Sequence, residues 1–411
     1  MTRELCPLTD PRVLIGPREE RAGRGYYLVK HTGTDRIFRI GDKEQFLLSH
    51  MNGQNSLTDI AALFRKRFGT EMTDRAWESL FRSLDARSLL VSENAPDAGA
   101  PAGPKRLFVT TKYGFLDFAI RLANPERMLR AVEPKLRFLF SPVFIAFALI
   151  AIVAMETWVV LHAGAMYRQI NQYGWGHFIH VATYVYPIVV LSMILHEFAH
   201  ALACRHFGGN VWDLGLLFRY LTFYPYTRLD DVMFFHNRWH RVWVFSAGMF
   251  STLLFSIPFA FLWSMAQAED MKAIFGILVF ALSFSTFMNL VPFVQLDGYF
   301  ILSTAVRMPD LRIDAYLFWK GLIRRIFRPD AGRPAYSRRE APICGVYGLV
   351  SIVVTLYVTV RAALYWRGML LHWAGDVYSW VLAVAIMGVF AIPRLRRSKL
   401  ANRPQIGVRV S

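Results

Sequence analysis

The sequence predicts a polytopic α-helical membrane protein of about six transmembrane helices, preceded by a small N-terminal α+β domain of winged-helix-like character. Three observations carry that expectation. Six apolar runs of roughly membrane-spanning length fall between residues 138 and 392. The first 92 residues are instead polar and mixed, with short strand and helix patterns. Finally, the chain carries a formal net charge of +17 over 411 residues that are 54% hydrophobic, and many of its basic residues flank the apolar runs. Basic residues in those positions set membrane topology, so the charge argues for lipid as a partner and against nucleic acid.

Within residues 1–92, Tyr26-Tyr27-Leu28-Val29 and Arg36-Ile37-Phe38-Arg39-Ile40 read as two short strands joined by a turn at Thr32-Gly33-Thr34. Gly41-Asp42 leads into a helix carrying Phe46, Leu47, Leu48 and Met51. Ser56-Leu57-Thr58-Asp59 reads as a helix start, a capping box with Asp in place of Glu or Gln, and Ile60, Leu63, Phe64 and Phe68 form its apolar stripe. A third helix carries Trp77, Leu80, Phe81 and Leu84, and Leu89-Leu90-Val91 is a candidate closing strand. These stripes are read as core.

This order of elements, with Phe38-Arg39-Ile40-Gly41 and the Leu57-Thr58-Asp59-Ile60 helix, resembles the PqqD-like domains, which bind leader peptides of ribosomally made, later modified peptides. The resemblance implies that a peptide adds a strand to an exposed sheet edge near Tyr26 to Val29.

Residues 93–104 are rich in Pro, Ala and Gly and read as a linker. Residues 105–137 mix basic residues with Phe115, Phe118, Ile120 and Leu122, as a segment at the membrane surface would. The six candidate spans are Phe138 to His162, Phe178 to Cys204, Val242 to Met265, Ile274 to Leu296, Ile343 to Val360 and Leu371 to Ile392. Arg307, Arg312, Lys320, Arg324 and Arg325 open a strongly basic loop after the fourth span, and the tail from Arg394 is basic without an acidic residue. The connections 163–177 and 266–272 carry one basic residue each. This bias places both termini in the cytoplasm, in agreement with an even number of spans. The opening of the chain does not read as a cleavable signal peptide, so the first span is expected to direct insertion. Three cysteines, Cys6, Cys204 and Cys344, are too few and scattered for a disulfide framework.

The chemistry centres on His196-Glu197-Phe198-Ala199-His200 in the second span. On a helix the two imidazoles share one face, about 6 Å apart along the axis. That spacing suits one zinc ion, with Glu197 between them as general base. Ionisable residues inside a membrane helix are costly to bury, which makes them functional candidates. A third ligand is needed, and three residues compete. His206 completes the outer frame of H-E-x-x-H-x-x-G-x-x-H, but Ala203 stands where that pattern turns on Gly. Cys204 follows His200 by one turn, too far along a regular helix from His196. Asp297, in Asn289-Leu290-Val291-Pro292-Phe293-Val294-Gln295-Leu296-Asp297-Gly298, can be brought in by helix packing.

The pair of motifs, H-E-x-x-H in one span and N-x-x-P-x-x-x-x-D-G in a later one, resembles the site-2 protease family of intramembrane zinc metalloproteases over residues 138–315. The resemblance implies that His196, His200 and Asp297 bind Zn2+, that Glu197 is the general base, and that Asn289 positions the substrate carbonyl or stabilises the oxyanion. It implies a β-rich or re-entrant loop beside the metal between Gly208 and Thr227, and close helix packing at Ala247-Gly248. Gly298-Tyr299-Phe300-Ile301-Leu302-Ser303 followed by Met308-Pro309-Asp310-Leu311-Arg312 looks like the bacterial peptide zinc metalloprotease branch. The short connection 266–272 leaves no room for the PDZ domain of relatives that cut anti-sigma factors.

The expected function is therefore an intramembrane zinc metalloendopeptidase of the bacterial inner membrane, maturing or cleaving a ribosomally made peptide recognised by the N-terminal domain. Two alternatives are regulated proteolysis of a transmembrane signalling protein, and a non-catalytic membrane subunit of a peptide export or immunity system. Glu156, a second intramembrane carboxylate in the first span, has no partner identifiable from sequence.

Overall fold

The computed structural model describes residues 6–21, 24–32, 36–91, 108–110, 118–172, 178–219, 222–327, 336–361, 363–364 and 367–368. The chain forms two compact units, one of residues 1–105 with 310–411 and the other of residues 106–309.

The first unit opens with three strands, β1 (Val13–Arg21), β2 (Arg24–His31) and β3 (Arg36–Gly41), in the antiparallel order β1-β2-β3. Three helices follow: α1 (Asp42–His50), α2 (Leu57–Phe68) and α3 (Asp74–Asp85). The expected β2 and β3 are present, with Val29 opposite Phe38 and Tyr27 opposite Ile40. The expected edge at Tyr26 to Val29 is corrected. These residues lie in the central strand, because β1 pairs along the other side of β2, with Ile15 opposite Val29 and Glu19 opposite Tyr26. Both sets of β2 ladder groups are therefore taken up inside the sheet, and only β1 and β3 have outer edges. The closing strand at Leu89 to Val91 is reduced to a bridge between Leu90 and Thr9.

Local chemistry explains the helix ends. Ser56 Oγ accepts from Asp59 N at 3.2 Å while Ser56 N donates to Asp59 Oδ2 at 3.1 Å, so the Asp variant closes the capping box. α2 ends at Gly69, whose φ of +65° is a left-handed conformation that glycine adopts without strain. The sheet and helices bury one core that includes Val29, Ile40, Leu48, Ile60, Phe64, Trp77 and Leu84.

The second unit contains β4 (Phe108–Thr110), β5 (Phe118–Ala123), α4 (Glu126–Leu136), α5 (Pro142–Gln172), α6 (Phe178–His206), β6 (Leu214–Arg219), β7 (Thr222–Thr227), α7 (Arg238–Met265), α8 (Glu269–Leu290) and α9 (Asp297–Ala305). Its four strands form one antiparallel sheet in the order β4-β5-β6-β7. The segment read from sequence as lying at the membrane surface thus supplies two strands, with Ile120 opposite Leu216. Helix α7 packs against α6, α8 and α9. Glu156 on α5 acquires a partner on α8, because Ser283 Oγ donates to its Oε1 at 2.7 Å.

The first unit resumes with α10 (Leu311–Phe327) and α11 (Glu340–Arg361). Here Asp310 and Asp314 meet the N-terminal sheet. Arg39 Nη2 is 2.8 Å from Asp310 Oδ2, and Arg21 Nε donates to Asp314 Oδ1 at 2.9 Å.

Among the described residues five helices, α5, α6, α7, α8 and α11, are long and apolar enough to cross a membrane, with mean hydropathy from 1.6 to 2.4 in their most apolar windows. α5 shows why such helices suit lipid: Val143 and Leu161 are 81% and 76% exposed. The expected sixth span, Leu371 to Ile392, lies outside the described residues. The fourth span ends at Leu290 rather than Leu296, since Pro292 disfavours helical backbone at Val291, which is extended, and the chain turns before α9.

Candidate metal centre

α6 carries both motif histidines one turn apart, and Asp297 is the first residue of α9. A carboxylate in the first turn of a helix is favoured by the helix dipole. The aspartate's position depends on its neighbour. A Cβ added to Gly298 would stand 2.1 Å from Leu290 O and 2.8 Å from Asn289 O, so only glycine lets α9 begin this close to the end of α8. The same close approach sets Asn289, the penultimate residue of α8, beside the residue that follows Asp297.

Three donor atoms converge. His196 Nε2 is 3.0 Å from Asp297 Oδ2 and 3.2 Å from His200 Nε2, and His200 Nε2 is 3.3 Å from Asp297 Oδ2. Ligand atoms about 2.0–2.2 Å from a tetrahedral zinc stand roughly 3.3–3.5 Å apart, so these spacings match the edges of such a site to within a few tenths of an ångström. Among the described residues this is the one group of three or more His, Cys, Asp or Glu gathered in this way, with all ligand atoms within 4.8 Å.

The space between the imidazoles is kept open by α7. A Cβ at Gly248 would fall 2.4 Å from His200 Nε2 and 2.5 Å from His196 Nε2. The donor set and the cradle together fit a small divalent cation held by two neutral imidazoles and one carboxylate.

The far side of each ring is also held by α7. His200 Nδ1–H donates to Val244 O at 2.7 Å, and His196 Nδ1 is 3.1 Å from Thr252 Oγ1. An acceptor at Nδ1 fixes the tautomer whose Nε2 lone pair points to a metal. Glu197, between the histidines, is half-buried, and its backbone carbonyl accepts from Thr227 Oγ1 at 3.1 Å, which ties the last residue of β7 to the motif helix.

The other two candidate ligands are elsewhere. His206 pairs with Glu133 Oε1 at 2.9 Å and stacks on Phe140. Cys204 is buried in an apolar cluster with Val211 and Val232. The sequence reading missed Thr252 and Val244, and it placed Thr227 only as the end of the expected loop beside the metal, without its bond to Glu197 O. The visible signal for Thr252 was its place in the adjacent polar pair Ser251-Thr252 of a largely apolar helix, and a backbone carbonyl leaves no trace in sequence at all.

Compared with protein-family models, with curated proteins and with solved structures, the chain matches none.

Proposed function

We propose that this protein is an intramembrane zinc metalloendopeptidase of the site-2 protease type. The observation that carries the proposal is the meeting of His196 and His200, on either side of Glu197, with Asp297, which lies 101 residues beyond His196. Three protein ligands and an open position are the pattern of catalytic rather than structural zinc sites. His196, His200 and Asp297 would hold the ion, which when bound supplies Lewis acidity at the scissile carbonyl.

The chain's own groups then divide the work. Glu197 accepts the proton of the attacking water and returns it to the leaving amine. The Asn289 amide donates to the carbonyl oxygen as charge develops on it. β7 is an outer strand of its sheet and ends at Thr227, on the carbonyl of Glu197. An extended substrate added along β7 would be led toward the base.

The basic segments after α9 and at the C-terminus favour cytoplasmic termini, and the bacterial inner membrane follows from the resemblance to the bacterial peptide zinc metalloprotease branch. The substrate is a ribosomally made peptide recognised by the N-terminal PqqD-like domain, and strand addition there falls to the outer edge of β1 or β3. The test is cleavage of a leader-bearing peptide by the purified protein in lipid. Wild type should cut it, and Glu197→Gln should keep its metal while turning over about 10²–10⁴-fold more slowly. Equal rates for the two proteins would refute the assignment.

A further inference from the structure

The two histidines are oriented by acceptors of different kinds. Val244 O, the acceptor for His200, belongs to the backbone of α7 and persists whatever side chain stands at that position. The acceptor for His196 is the side chain of Thr252, and substitution can remove it.

Thr252 is 5% exposed, so water does not readily replace a lost partner there. Its hydroxyl has one proton, and Gly248 O, one turn back on α7, receives it at 3.1 Å. With that proton committed, Oγ1 presents a lone pair to His196 Nδ1, and His196 must donate. A ring that donates from Nδ1 has its lone pair on Nε2, the atom facing Asp297 and His200. The chain Gly248 O, Thr252 hydroxyl, His196 Nδ1 therefore runs from the backbone of the glycine cradle to a ligand of the proposed ion.

We propose that Thr252 is a positioning residue. Its hydroxyl fixes the tautomer and ring orientation of His196 and thereby sets the affinity of the metal centre. The proposal rests on the zinc reading above, and it makes α7 the helix that both opens the metal cradle and orients its ligands.

Removing such an outer partner typically lowers metal affinity about 10–100-fold. The probes are Zn2+, titrated against a chelator of known affinity, and Co2+, whose visible absorption reports the geometry of its ligands. Four full-length proteins in detergent are compared. Thr252→Val keeps the shape and removes the hydroxyl, whereas Thr252→Ser keeps the hydroxyl. Thr286→Val removes an equally buried hydroxyl on α8, one bonded to Leu282 O at 3.0 Å and to no histidine.

The expected result is that wild type, Thr252→Ser and Thr286→Val bind alike. Thr252→Val should bind Zn2+ about 10–100-fold more weakly, with an altered Co2+ spectrum and unchanged thermal unfolding of the metal-free protein. Undiminished binding by Thr252→Val overturns the proposal and leaves the zinc reading intact, as does an equal loss in Thr252→Ser or Thr286→Val. A wild-type protein that binds neither ion overturns the zinc reading, and the proposal with it.

Discussion

Gly248 passes so close to His196 that a single carbon added to its α position would stand 2.5 Å from the ring's Nε2. The motif helix and α7 are thus packed around a space no larger than the missing side chain. Gly248→Ala should push one imidazole out of place and lower metal affinity at least tenfold. Gly164→Ala on α5, where an added Cβ meets nothing within 4 Å, should leave it unchanged. Chelator competition with Zn2+ on the two variants checks the contrast.

The N-terminal domain has an acid-sensitive contact of its own. Arg12 donates to Asp10 from Nε at 3.0 Å, from Nη2 at 2.7 Å and from its backbone N–H at 2.8 Å. The Arg12 side chain holds this carboxyl well below the usual carboxylate range, against the opposing effect of burial. A depressed folded-state pKa stabilises at every pH above the unfolded value of about 3.9. That contribution is lost as pH falls through the lower folded value. Hydrogen exchange of residues 24–91 in the full-length protein should show wild type better protected than Asp10→Asn at pH 6. The gap should shrink steadily below about pH 4. A gap independent of pH would mean that the carboxylate is not the source.

Removing residues 1–104 takes Arg21 and Arg39 away from Asp314 and Asp310 and leaves the proposed metal ligands and Glu197 in the chain. The truncated protein should retain zinc and cut an unstructured peptide slowly. On the proposed reading, in which the deleted domain supplies local concentration rather than chemistry, it should lose any preference of the intact protein for the same peptide with a leader attached. Equal preference in the two proteins would remove the N-terminal domain from substrate recognition.

How much of this could be read from sequence depends on whether the signal was local. The capping box at Ser56, the apolar stripe of α2 at Ile60 and Phe64, and five of the spans depend on residues within one element, and they appear where periodicity puts them, although Leu63 of the same stripe is exposed. Asp297 was legible as a candidate because it ends an apolar run, where helix packing can bring a carboxylate to the histidines; the close approach at Gly298 that places it shows only in the structure. β1 was not legible. Gly16-Pro17-Arg18-Glu19-Glu20-Arg21 has no apolar alternation, and one inward position is filled by Glu19, only 9% exposed. Missing that strand misplaced the sheet edge. The pairing of β5 with β6 joins segments about 90 residues apart, and neither sequence marks the other as its partner. Thr252 was hidden for a related reason, since a threonine in an apolar helix more often bonds its own backbone. Here it does so and also faces His196 on another helix.

The most direct measurement of the central claim is the zinc content of the purified full-length protein and of three variants. With His196, His200 and Asp297 as the ligands, wild type should hold about one zinc per chain. His196→Ala and Asp297→Ala should each lose most of it, while Cys204→Ser should keep it. Retention of zinc by Asp297→Ala together with its loss from Cys204→Ser would contradict the site described here.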